Sequence, residues 1–245
     1  MRRRLAPSRT DAQRLVEEGK VEVGGVPTPK SATLVAKDTP IELSDTGPRY
    51  VGRGALKLVG ALDAFSVGVE GRRALDAGAS TGGFTEVLLQ RGATAVVALD
   101  VGYGQLDHRL RQDPRVTVME RTNLRLVTSA DTDGRFPLIV ADLSFISLCT
   151  VADALAGLAE REGDLVLLIK PQFEAGRGEV GHGGIVRDEN ARRRAVEKVV
   201  ACLAEHGLAP QALSSSTVAG AGGNREVFVW CISGAAPVRD LVVPA

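Results

Sequence analysis

A chain of 245 residues that is 44% hydrophobic but only 4% aromatic must build its core from Val, Leu, Ala and Ile, which suits parallel strands under helices and disfavours a β-sandwich. Thirty basic and thirty acidic residues cancel, so any nucleic-acid partner must be met by a local patch and not by the overall charge. Three scattered cysteines without a C-x-x-C pair argue against a disulfide framework or a zinc site, charged residues interrupt every apolar run short of a membrane span, and the start lacks a signal-peptide core, so a soluble protein of the reducing cytoplasm is expected.

Ser8 followed by Arg9-Thr10-Asp11, with Ala12, Leu15 and Val16 at helical spacing, predicts an N-capped helix that ends at Gly19. Val21-Glu22-Val23-Gly24-Gly25 alternates like a short strand entering a turn, and Thr33 to Leu43 predicts a further short strand pair. Residues 1–44 are therefore expected to form a compact α+β domain, and 45–52, with turn composition at Ser44-Asp45-Thr46-Gly47-Pro48, a linker. From 53 to 245 the rhythm changes. A helix at 53–67 and a strand at 73–77 lead into strands at 94–101, 116–120, 137–142 and 164–170 that alternate with helices at 84–91, 104–112, 147–161 and 190–207. Such alternation implies right-handed βαβ units and a Rossmann-like α/β sheet with helices on both faces. Strands at 211–218 and 227–232 have no helix between them and must pair as a hairpin, giving a mostly parallel sheet one antiparallel strand at its end.

The segment Asp76-Ala77-Gly78-Ala79-Ser80-Thr81-Gly82-Gly83-Phe84 lies where the first strand of this sheet passes into a helix, the place where a doubly wound sheet opens a crevice. Its glycines let a ligand touch the backbone, although a plain tight turn uses them as well. The spacing is not G-x-G-x-x-G and no Lys-Ser or Lys-Thr follows, which excludes a P-loop and weakens a dinucleotide reading. Carboxylates at Asp76 and at Asp100, the end of the second strand, suit a ligand with an ammonium group and a ribose diol, as S-adenosylmethionine has. Asp142 ends a later strand at the same edge and either faces this cleft or caps the next helix. Lys170 closes the apolar run Leu165 to Ile169, where burial and a neighbouring ammonium would lower its pKa toward that of a general base; the alternative is a snorkelling side chain with a wet tip.

Taken together, Val51 to Leu58, Asp76 to Thr85, Asp100 to Gln105, Ala141 to Ser147, Lys170 to Glu174 and Gly223 to Glu226 resemble, in order and over essentially the whole chain, the TlyA family, which is often labelled hemolysin A. Members of that family resemble FtsJ-type ribose 2′-O-methyltransferases and are implicated in cytidine methylation of 16S and 23S rRNA. The resemblance implies a Lys-Asp-Lys-Glu tetrad at Lys57, Asp142, Lys170 and Glu226, with Lys170 taking the ribose 2′-hydroxyl proton. It implies S-adenosylmethionine contacts at Asp76, Gly78, Ser80, Thr81, Gly82, Gly83, Phe84, Asp100, Val101, Asn123 and Asp142. The N-terminal unit resembles RNA-binding domains of the ribosomal-protein S-four type, with Arg4, Ser8, Arg9, Arg14 and Lys20 as expected RNA contacts; a solvated basic face is the alternative. Such a domain begins with a further helix, for which little chain precedes Ser8.

No metal is expected, because His108, His182 and His206 show no ligand spacing. Tyr103 and Trp230, like Phe84, read as core or cleft wall more readily than as base-stacking platforms, with exposure the alternative for Tyr103 between Gly102 and Gly104, and the glycines of Ala175 to Ile185 suggest a mobile lip beside Lys170 or else a passive loop. Three functions compete at this point: an rRNA methyltransferase whose partner is the ribosomal subunit, a methyltransferase for a nucleoside or antibiotic, and a non-enzymatic RNA-binding or hemolysin-like protein. No segment supports membrane action.

Overall fold

The computed structural model describes residues 5–6, 8–17, 20–24, 26–27, 32, 34–36, 38–43, 50–52, 54–176 and 178–244, with backbone alone at 26, 27 and 221. The chain forms two compact units, Met1–Arg49 and Tyr50–Ala245.

In the first unit helix α1 (Arg9–Glu17) opens as its sequence requires. The Ser8 hydroxyl accepts from the Asp11 amide at 3.1 Å and donates to the Asp11 carboxylate at 2.6 Å. Strand β1 (Val21–Val23) pairs antiparallel with β2 (Val26–Pro27) on one side and β3 (Ile41–Leu43) on the other. The strand pair expected within 33–43 is thus corrected: only 41–43 is a strand, residues 34–36 are irregular, and Thr33 and Lys37 lie outside the described residues. The turn at Gly24, at φ +61°, folds the chain straight back, so Val26 pairs with Val23 and the partner strands of β1 are 26–27 and 41–43. A small apolar cluster of Ala6, Leu15 and Val21 holds the helix to this sheet.

The second unit runs α2 (Gly54–Phe65), β4 (Arg73–Ala77), α3 (Gly83–Gln90), β5 (Ala95–Leu99), α4 (His108–Arg111), β6 (Val116–Met119), β7 (Phe136–Ala141), α5 (Leu148–Leu158), β8 (Ala159–Ile169), α6 (Pro171–Glu174), α7 (Glu189–Glu205), β9 (Leu208–Ser215) and β10 (Val227–Ser233). The strand order is β6-β5-β4-β7-β8-β10-β9. Strands β4 to β8 are parallel, while β10 is antiparallel to both neighbours, so the antiparallel strand lies one place in from the β9 edge. The helix expected at 104–112 is only the short α4, because glycines and the Asp107 cap keep the preceding residues in a loop. The helix expected to reach 161 stops at Leu158, where the chain passes directly into β8 and absorbs a register shift against β7.

Alternation along the strands divides the core into two layers. Leu75, Ile139, Leu165, Leu167 and Val229 face α5 and α7 in one apolar cluster, and Ala74, Leu138, Val140, Val166 and Phe228 face α2 and α3 in the other. The chain winds outward from β4 to β6 and then returns to β7 beside β4, so the carboxyl ends of β4 and β7 flank a topological switch point.

At the opposite end of the sheet Asp164 joins three elements. It accepts from the Trp230 indole at 2.8 Å and pairs with the Arg72 guanidinium at 2.7 Å. Asp164→Ala leaves both half-buried donors without that acceptor, and we expect urea denaturation to register a loss of about 2 kcal/mol.

Candidate active site

The loop between β4 and α3 is shaped by close contacts. Gly78 stands at φ +89°, and a Cβ there would lie 2.7 Å from the Asp142 carbonyl oxygen. Its amide and that of Ala79 both donate to Leu99 O, at 2.8 and 3.0 Å. Gly82, at φ +96°, packs where a side chain would collide with Leu110. The Asp100 carboxylate fastens the outer half, accepting from the Ser80 amide at 2.8 Å and the Gly102 amide at 2.7 Å. The loop is therefore held against the ends of three strands before any ligand arrives.

Two cavities meet over this loop, with Gly78, Ser80, Asp142 and Ser144 in the walls of both. The larger, about 570 Å³, extends past Asp100, Val101 and Asn123; the smaller, about 220 Å³, runs past Thr81, Gly83 and Phe84 to Lys170. Ten of the sequence-predicted residues thus share one cleft: Gly78, Ser80, Thr81, Gly83, Phe84, Asp100, Val101, Asn123, Asp142 and Lys170. Gly82 lies behind the loop and lines neither cavity. Asp76 lines neither as well. It is fully buried, its Oδ2 accepts from the Thr85 hydroxyl at 2.6 Å, and its Oδ1 has no hydrogen-bond partner among the described residues. Burial, opposed by the Thr85 bond and helped by the Asp142 carboxylate, pushes its pKa up to about 7.

Among the described residues the walls carry Asp100 and Asp142 and the cation Lys170. A polyphosphate would meet two carboxylates, whereas a cationic ligand with a ribose diol meets acceptors. S-adenosylmethionine fits this lining: the glycine cradle admits backbone contact, and Asp100 and Asp142 present acceptors beside it.

The four polar residues of the expected tetrad form two ion pairs. Lys170 Nζ lies 2.6 Å from Asp142 Oδ1 and donates to Ser144 Oγ at 2.8 Å. Lys57 Nζ lies 2.5 Å from Glu226 Oε2, and this pair is nearly closed to solvent. The neighbour that the structure gives Lys170 is the Asp142 carboxylate, and Lys57 is matched by Glu226. Gln172 donates to the other Glu226 oxygen at 3.1 Å. Glu174, buried so that its pKa rises, accepts from Ser147 Oγ at 2.5 Å and the Leu148 amide at 2.8 Å.

Sequence reasoning missed Phe145. It stands at φ +64°, is 90% exposed at the cavity mouth, and has its ring centroid 5.1 Å from that of Phe173. Its chain position resembles any strand-end aromatic; only the left-handed backbone turns it outward. Tyr103 is also exposed, with the Arg121 guanidinium 4.1 Å over its ring. Trp230 packs on Phe65 and Phe84 on Phe228, as core. The glycine-rich segment after Lys170 is tied down: Asn224 donates to Gly184 O and accepts from the Val186 amide, and Glu179 pairs with Arg194. In the first unit Ser8 caps α1, which carries Arg9 and Arg14, the latter paired with Asp11; Lys20 follows, and Arg4 lies outside the described residues. No group of three or more His, Cys, Asp or Glu suited to a metal occurs among the described residues, and no helix there is long and apolar enough to cross a membrane.

Residues 50–232 match the model of the FtsJ-like methyltransferase family. The chain is 54% identical over 231 residues to the 16S/23S rRNA (cytidine-2′-O)-methyltransferase TlyA of Mycobacterium tuberculosis, covering 94% of this chain and 86% of that protein. It is 38% identical to Hemolysin A of Brachyspira hyodysenteriae, covering 92% and 94%. A solved structure from Streptococcus thermophilus, titled as a hemolysin, superposes with a TM-score of 0.79 at 40% identity, covering 96% and 86%.

Two outcomes are expected from the loop. Gly78→Ala meets backbone, not a movable side chain, and should abolish ligand binding in calorimetry while costing about 2 kcal/mol of stability. For Asp76 the sign follows from its raised pKa: the folded state keeps a proton that the unfolded chain releases, so stability should fall as pH rises from about 4 to about 7 and level off above. Asp76→Asn keeps an acceptor for Thr85 and should flatten that slope in ligand-free denaturation; equal slopes in both proteins would contradict the assignment.

Proposed function

The chain belongs to the FtsJ-like methyltransferase family, in its TlyA branch, and we propose that it methylates a ribose 2′-hydroxyl of ribosomal RNA, a cytidine in the 16S or 23S molecule. The observation that carries the reading is the Lys170–Asp142 pair, which opens on the cavity beside the glycine loop with Ser144 as its third member. When bound, S-adenosylmethionine supplies a methyl group on a sulfonium sulfur, which leaves as a neutral thioether once an oxygen nucleophile attacks in line.

The chain's own residues do the rest. Gly78, Ser80, Thr81 and Gly83 present backbone to the donor, Asp100 with Val101 and Asn123 takes its ribose end, and Asp142 contributes negative charge near the sulfonium. Lys170, in its neutral form, accepts the 2′-hydroxyl proton at Nζ. Asp142 and Ser144 hold that nitrogen at 2.6 and 2.8 Å, limiting its rotamers. The Lys57–Glu226 pair is nearly closed to solvent and lines neither cavity. Phe145 offers an exposed ring at the mouth on which a base turned out of its helix can stack.

Support for RNA as substrate comes from the M. tuberculosis relative, to which the similarity extends over nearly the full chain. On this reading 1–44 is an RNA-binding domain of the ribosomal-protein S-four type, 45–52 a linker and 53–245 the catalytic domain. Arg4, Ser8, Arg9, Arg14 and Lys20 meet phosphates on the folded RNA.

The test is methyl transfer from labelled donor to isolated 30S and 50S subunits. Lys170→Ala should lose about 1,000-fold in rate while binding the donor normally; an unchanged rate would remove Lys170 from the chemistry. Transfer to neither subunit, with the donor bound, would turn the assignment toward a small-molecule acceptor. Phe145→Ala should raise KM for the subunit about tenfold through lost stacking.

A further inference from the structure

We propose that the four-residue helix α6 is a brace for Lys170, with Gln172 and Glu174 as positioning residues that lock the two ion pairs of the site into one frame. The inference rests on the catalytic role given above to Lys170.

The geometry begins with Pro171, the first residue of α6. A residue before proline is kept out of helical backbone, and Lys170 is accordingly extended, at φ −109° and ψ 101°. The lysine therefore belongs to the strand end while the helix turns away behind it. Side chains two apart on a helix diverge, and here they reach different partners. Gln172 extends to Glu226, just before β10, and donates to its Oε1 at 3.1 Å, while Lys57 holds Oε2 at 2.5 Å. Glu174 extends to the N-terminus of α5, accepting from Ser147 Oγ at 2.5 Å and the Leu148 amide at 2.8 Å.

The Glu174 contact closes a ring. Asp142 and Ser147 lie on one connection, Lys170 and Glu174 on another, and the two are joined by the ion pair at one end and by the buried carboxyl at the other. Lys170 cannot draw away from Asp142 without straining that second joint. Phe173, between the two brace residues, has its ring centroid 5.9 Å from Lys170 Nζ and 5.1 Å from that of Phe145, which fills the side of the ring facing solvent.

The Gln172 contact is retained at a cost. Its Oε1 is buried without a hydrogen-bond partner among the described residues, so the contact there that orients the amide is Glu226, and an unmet buried acceptor is unfavourable. An apolar side chain of the same length would avoid that penalty but would leave Glu226 Oε1 without its donor. Neither Gln172 nor Glu174 lines either cavity, so both act through the residues they hold.

The test uses the full chain with ribosomal subunits. Gln172→Met and Glu174→Ala should each lower kcat about 100-fold, the scale of a misplacement near 1 Å, with KM for donor and subunit changed by less than about twofold. Glu174→Gln should restore most of the rate, because its amide can accept from Leu148 and donate to Ser147. In a Lys170→Ala background neither substitution should lower the residual rate further. Wild-type kcat in both variants, or an equal loss in the Lys170→Ala background, overturns the brace. A wild-type rate for Lys170→Ala alone overturns the catalytic reading instead, and the two failures are distinct. Should Glu174→Ala melt below the assay temperature, Gln172→Met and Glu174→Gln still decide the matter.

Discussion

The close approach of Gly78 to the backbone of Asp142 is the constraint on which the site depends. Strands β4 and β7 are neighbours whose connections part in opposite directions, and the Asp142 amide still donates to Ala77 O at 3.1 Å after the last ladder pair. No side chain fits between them at Gly78. Because the two chains stay in contact one residue beyond the sheet, the glycine loop and the segment from Asp142 to Ser147 start from a common point, and the cleft opens between them. Asp100 repeats the device on the other side, tying the loop to the end of β5 through two amides.

Charge is distributed around this point with little surplus. Each buried or half-buried ammonium in the site has a carboxylate at hydrogen-bonding distance. Such pairs contribute little net stability once desolvation is counted, since their attraction is offset by the loss of hydration; what they supply is a fixed direction. Asp76 is the exception, a carboxyl without a cation and with an oxygen left unmatched. It sits under the loop, fully buried, and burial dominates its proton affinity.

The strand and helix alternation from 73 to 205 was legible because parallel strands buried on both faces read as apolar runs, and Val, Leu and Ala dominate them. The cleft residues were legible through their places at strand ends. What stayed hidden depends on partners distant in sequence or on backbone sign. The return of the chain at Gly24 to pair Val26 with Val23 depends on a turn, and the outward turn of Phe145 follows from a positive φ that no pattern announces. Gln172 and Glu174 carried no role in the sequence reading; their contacts are Glu226 and Ser147, 54 and 27 positions away. The Asp76 position was read from its motif, but whether such an acid touches a ligand or lies beneath it is decided by the packing of Thr85, not by spacing.

The place of β10 between β8 and β9 bears on how the molecule is made. A ribosome releases β8 and β9 before the strand that separates them, so a nascent chain must leave a gap in its sheet until its last segment arrives. Glu226 travels immediately ahead of that segment, and until it docks Lys57 lacks its counter-ion. Closing the sheet and neutralising the inner lysine are therefore one event. A chain interrupted shortly before this point would keep an open strand edge at β8, a template for association with other chains, together with an incomplete site.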